Sequence, residues 1–161
     1  MRLALAVARQ AAATDDVPVG AVVLDAEGRV IGQGVNRREA DHDPSAHAEV
    51  VALRLAGRAS GNWRLDGCTL VVTLEPCAMC AGALVSARIA QLVFGAYDQK
   101  AGAVGSRWDL VRDRRLNHRP EVIGGVLAAE STELLQGFFA SQRMNASDEP
   151  RPISGNNSVS S

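Results

Sequence analysis

After residue 44 the sequence alternates helix-forming stretches with short β-branched runs, and that alternation confines the chain to a sheet with helices packed on it. Asp43-Pro44 supplies an N-cap and a first-turn proline, predicting a helix from about Pro44 to Ala59 that Gly61 follows. Thr69 to Thr73 reads as a buried strand, Pro76 to about Arg88 as a helix, and Gln91 to Gly95 and Glu121 to Val126 as two more strands. A last helix is expected over Glu130 to Gln142. Ahead of this series, residues 3 to 13 have the alanine content of a helix, and the runs Val19–Leu24 and Val30–Val35 flank Asp25-Ala26-Glu27-Gly28-Arg29, a hairpin reversal. The hairpin begins the sheet antiparallel and the later crossovers continue it parallel. The expected architecture is α/β, a three-layer α/β/α sandwich around a mixed five-stranded sheet.

The chain has 161 residues, 47% of them hydrophobic, enough for one core. Residues 1–143 are expected to form it, and the apolar-poor 144–161 to be a disordered tail. Leu3 to Ala8, among the longest apolar stretches, is far short of the roughly 20 residues a bilayer crossing needs and is broken by Arg9, so a surface-packed helix is preferred over a membrane span or a cleaved signal. A net charge of −1 excludes a general polyanion binder, yet from Arg88 to Arg119 seven basic residues face three acidic ones. Three cysteines make no disulfide framework and suit a reducing compartment, so the expected location is the cytoplasm.

Chemistry concentrates in His47-Ala48-Glu49 and Pro76-Cys77-Ala78-Met79-Cys80, each expected at a helix start. Cys77 and Cys80 lie three apart in a first turn, where the positive end of the helix dipole favours thiolates. His47 and Glu49 would diverge by about 200° on a helix, so both reach one site only from its N-terminus. Two helix starts aimed at one centre give three zinc ligands, His47, Cys77 and Cys80, with Glu49 left free for proton transfer. Three protein ligands with a fourth position open mark a metal that acts on substrate. The alternatives are a thioredoxin-like redox pair, or closure of the site by Cys68; a buried, inert Cys68 is preferred. His42 and His118 are expected to be solvated loop residues.

These motifs resemble those of the zinc-dependent cytidine deaminase superfamily. Further segments extend the likeness: Val17-Pro-Val-Gly-Ala-Val, Gly34-Val-Asn-Arg, Asp43-Pro-Ser-Ala-His-Ala-Glu, Thr73 through Leu84, Phe94-Gly-Ala-Tyr-Asp and Asn117-His-Arg resemble the bacterial tRNA-specific adenosine deaminases over about residues 3 to 143. The resemblance implies a cytidine deaminase-like fold, one Zn2+ per chain, a homodimer, and conversion of adenosine to inosine in a tRNA anticodon loop. By the same carry-over the Ala48 amide assists at C6, Asn36 reads the purine edge, and Asp98 accepts a ribose hydroxyl. An adenosine in a loop must be turned outward, and the phosphates around it call for cations, for which Arg107, Arg112, Arg114 and Arg115 are the candidates. A solvated helix face is the alternative for that cluster, and a turn residue or loop cap the alternative for Asn36 and Asp98. Two other functions stay open at this point, a deaminase of free guanine, cytosine or cytidine, and a non-catalytic zinc or redox protein. The last helix departs from the family in lacking a basic end, with Arg143 alone ahead of Asp148-Glu149, and the chain begins almost at its first helix.

Overall fold

Five strands, β1 (Gly20–Leu24), β2 (Val30–Val35), β3 (Thr69–Leu74), β4 (Gln91–Ala96) and β5 (Glu121–Ile123), form one sheet in the order β2-β1-β3-β4-β5. The computed structural model in which they are seen describes residues 1–148. Strand β1 is antiparallel to both β2 and β3, and β3-β4-β5 run parallel, so the sheet is mixed as expected. The hairpin closes on Asp25, whose carboxylate accepts the amides of Glu27 and Arg29 at 3.1 and 2.8 Å. Ala21 stands opposite Gly34 on one side and Val72 on the other, while Val22 stands opposite Val71. That one-residue alternation sends Ala21, Val23, Leu70 and Val72 to one face and Val22 and Val71 to the other.

The helices are α1 (Arg2–Ala8), α2 (Arg38–Asp41), α3 (Ala48–Ser60), α4 (Ala78–Ser86) and α5 (Ala128–Asp148). Ala48, Ala52 and Ala56 of α3 and Ala81 and Leu84 of α4 are buried against the first face, and Ala4 and Val7 of α1 against the second. Ser131 of α5 packs directly over Gly95 of β4. Small residues bring α3 unusually close to the sheet: a β-carbon at Gly32 would overlap the Ala52 carbonyl, and one at Gly34 the Ala48 carbonyl and Ala52 amide. The contact at Gly34 fixes the first residue of α3 over the end of β2. The carboxyl ends of β3 and β4 lie on this same edge, where open α/β sheets place their sites. No helix of the described residues is long and apolar enough to cross a membrane.

Several boundaries depart from expectation for local reasons. Helix α3 begins at Ala48 rather than Pro44, because Asp43 Oδ1 accepts both the amide and the hydroxyl of Ser45 at 2.7 Å and closes a turn instead of a cap. Helix α4 begins at Ala78 rather than Pro76, since Cys77 is extended and bridges to Gly102 while the Pro76 carbonyl accepts the Ala103 amide. Residues Arg9–Ala13 tighten into a 3-10 turn. Strand β5 stops at Ile123 rather than Val126, where Gly125 takes φ +82°. Helix α2 was not anticipated; the buried Asp16 carboxylate accepts the amides of Glu39 and Ala40. Helix α5 starts at Ala128 and continues to Asp148, past the expected boundary at 143, with no glycine or proline between Ser141 and Asp148 to stop it. The rest of the expected tail lies outside the described residues.

Replacing Gly34 by alanine is expected to destabilise the protein by about 1–3 kcal/mol, as overpacking does. Gly137→Ala, on an open face of α5, is expected to raise stability slightly. Denaturant midpoints of the two variants check both signs.

Candidate active site

His47 is the N-cap residue of α3 and Cys77 that of α4, both in extended conformation, and neither helix start carries a side-chain cap hydrogen bond. Each helix therefore presents its ligand, its free amides and its positive dipole end to the same point. Cys80 joins from the first turn of α4. His47 Nδ1 lies 3.6 Å from Cys77 Sγ and 3.5 Å from Cys80 Sγ, and the three ligand atoms fall within 4.8 Å of one another. One imidazole and two thiols at that spacing suit a four-coordinate soft dication with one position left open. The electrostatics agree. A hydrogen bond from Cys80, opposed by burial and reinforced by His47, pushes the Cys77 thiol down to about 3. Cys80 is driven up by holding the proton it shares with Cys77 and by burial, and His47 is raised by its hydrogen bond to Cys77. The pair thus keeps one proton that a dication would displace.

A cleft of about 160 Å³ opens beside this group, lined among others by Asn36, His47, Glu49, Glu75, Cys77 and Asp98. Glu49, on the first turn of α3, is 4% exposed, and burial lifts its carboxyl to about 7. A carboxyl at that value can take and return a proton near neutral pH. Ala48, the first residue of α3, is fully buried and also lines the cleft. Asn36 is 7% exposed; its Nδ2 donates to the Val17 carbonyl at 3.2 Å, and its Oδ1 is buried with no partner. Asp98 borders the cleft, but its Oδ1 accepts the amides of Lys100 and Ala101, so it also caps its own turn.

The four arginines stand apart from the cleft lining. They lie on an irregular segment of turns between β4 and β5 and not on a helix, which removes the helix-face alternative. Arg112 pairs with Asp109 at 2.8 Å and Arg115 with Asp113 at 2.5 Å. Arg114 is exposed, and Arg107 lies over the Trp108 ring with 5.9 Å to its centroid; among the described residues neither has a carboxylate partner.

Residues 1–96 match the family described as the cytidine and deoxycytidylate deaminase zinc-binding region. The chain belongs to this deaminase family. Over 143 residues it is 49% identical to a tRNA-specific adenosine deaminase of Haemophilus influenzae, spanning 89% of this chain and 83% of the relative. A solved structure from a study of adenosine-to-inosine editing by tRNA A34 deaminases is 46% identical and superposes with a TM-score of 0.80, covering 84% of this chain and 97% of that one. The guanine deaminase of Nitrosomonas europaea is 30% identical with a TM-score of 0.72, over 86% of this chain and 82% of its own. The fold is the mixed-sheet, cytidine deaminase-like one, and the zinc-binding group of this deaminase is His47, Cys77 and Cys80.

The deaminase also carries a residue that reading the sequence did not single out. Glu75, 2% exposed, accepts the amides of Asp98, Val104 and Ser106, each at 3.0 Å, and the Ser106 hydroxyl. Burial alone would raise its carboxyl, but these hydrogen bonds outweigh it and hold the group below its ordinary value. Two residues before Cys77, it ties the segment after β4 to the metal group. The available signal was an acid flanked by apolar β3 and Pro76, where a charge must find partners. Cys68 is buried, free and outside the ligand group, as expected. His118 is not a solvated loop residue, because its Nε2 hydrogen-bonds the Ile89 carbonyl at 2.7 Å; His42 is exposed. Elemental analysis is expected to find zinc lost from Cys77→Ser and Cys80→Ser and kept at about one per chain in Cys68→Ser.

Proposed function

We propose that this deaminase converts adenosine to inosine at the wobble position of a tRNA anticodon, releasing ammonia. The observation that carries it is the cleft in which a buried, protonatable Glu49 and an unpartnered Asn36 Oδ1 adjoin the His-Cys-Cys group. Substrate choice follows the gradient of likeness, 41–49% identity to tRNA adenosine deaminases against 30–32% to guanine deaminases. Zinc held by His47, Cys77 and Cys80 supplies the Lewis acidity that makes water nucleophilic near neutral pH.

The chain's own groups do the rest. Water oxygen adds at C6 of adenine while Glu49 takes its proton and hands it to ring N1. A second proton passes through the same carboxyl to the amino nitrogen, the C6–N6 bond breaks, and ammonia leaves a C6 carbonyl behind. Ala48 offers its backbone amide at the free start of α3 to the oxygen adding at C6. Asn36, fixed through Nδ2, offers Oδ1 as an acceptor to the substrate, and Asp98 on the cleft lining is placed to accept a ribose hydroxyl.

The same proposal includes a homodimer and a cytoplasmic location. An apolar groove between α3 and α4, with Val50, Leu53, Ala83 and Ala87 on its walls, is surface that a second copy would cover. Three cysteines, none in a disulfide, fit a reducing compartment. Incubation with transcribed tRNA is expected to yield inosine and ammonia; activity confined to free guanine or cytidine would overturn the substrate assignment. Glu49→Gln is expected to keep its zinc and lose at least about a hundredfold in turnover. Among the arginines, Arg114→Ala is expected to weaken tRNA binding and lower the salt slope by about 1, whereas Arg112 and Arg115, engaged with Asp109 and Asp113, should matter less. An unchanged slope for Arg114→Ala removes it from phosphate contact.

A further inference from the structure

We propose that Trp108, with the Arg107 guanidinium over its ring, is a stacking platform for an unpaired base beside the adenosine that enters the cleft. The inference deepens the tRNA assignment above and rests on it. Trp108 is 56% exposed, a large aromatic left in water on a segment where most neighbouring side chains are polar or charged. An exposed indole face with a cation against it is what sequence-tolerant binding of single-stranded RNA employs, because every base has a π-face.

Position favours this use. The Trp108 amide donates to the Gly102 carbonyl at 3.2 Å, and Gly102 is bridged to the metal-site residue Cys77. The Trp108 carbonyl accepts the Gly105 amide, and Val104 is bridged to Asp109. Glu75 then anchors Val104 and Ser106, so the platform is held by a buried carboxylate rather than by a loose loop. A cleft of about 160 Å³ has room for little beyond one base, so the nucleotides on either side must rest on its surroundings.

Charge separates Trp108 from the other exposed tryptophan. Trp63 also has an arginine over it, Arg64, with 5.4 Å to the ring centroid, but Arg64 is neutralised by Asp66 at 2.8 Å. Trp63 lies between the carboxyl end of α3 and the start of β3, at the end of the sheet away from the cleft. Arg107 has no carboxylate partner among the described residues, and the adjacent Asp109 is already paired with Arg112. Trp108 thus presents a cationic aromatic face near the cleft, whereas Trp63 borders the α3–α4 groove.

The test uses the zinc-loaded protein, residues 1–161, and an anticodon stem–loop RNA. In a Trp63→Phe, Glu49→Gln background, which leaves Trp108 as the sole tryptophan and stops turnover, the RNA is expected to quench indole emission saturably. In the active enzyme Trp108→Ala is expected to raise KM for the stem–loop about tenfold or more with kcat within about twofold, and Trp108→Phe to restore most of the loss. Absence of quenching, or an unchanged KM in Trp108→Ala, overturns the platform; so does a changed sedimentation coefficient in Trp108→Ala, which would place the ring against a second copy. If the wild-type enzyme forms inosine while emission and KM stay still, only the platform falls. If it forms none, the tRNA assignment falls with it.

Discussion

Everything at the site depends on two uncapped helix starts being brought to within hydrogen-bond range of one another at one edge of the sheet. Helix α3 gets there because alanines on its buried face meet glycines on β2, and helix α4 because Cys77 and Pro76 pair with the segment around Gly102 before the helix begins. An ordinary N-cap at either position would satisfy the free amides with a side-chain oxygen. Here the cap positions hold an imidazole and a thiol instead, and those amides remain available to an anionic centre.

Around that centre the chain places carboxylates in contrasting environments. Glu49 is buried, and burial outweighs the support of its own amide, His47 and Cys80, so its carboxyl rises to about 7 and can carry protons. Glu75 is equally buried but surrounded by donors, so it stays ionised and serves as an anchor. Asp98 spends one oxygen on its own turn while lining the cleft. Their division of labour follows from hydrogen-bond supply rather than from residue type.

The basic segment after β4 illustrates why net charge is a poor guide to a binding surface. Arg112 and Arg115 are occupied by neighbouring aspartates, whereas Arg107 is turned to an aromatic ring and Arg114 to solvent. The irregular path of this segment is not loose. It is pinned through Glu75 to the strand that leads into the metal-binding helix, so Asp98, Val104 and Ser106 share one support with the metal ligands.

Short β-branched runs and alanine-rich or cap-marked stretches determined the strands and most helices, because such propensities are local properties of the chain, and the spacing within His47-Ala48-Glu49 determined that His47 and Glu49 must work off a helix start. The helix boundaries at Ala48 and Ala78 were not legible, since Asp43 and Gly102 redirect the chain through hydrogen bonds that propensity does not register. Only the tertiary structure decided the role of Glu75, the burial that shifts Glu49 and the partnering of each arginine. Those properties belong to groups distant in sequence, and a side chain's charge state and availability are set by what folding places beside it.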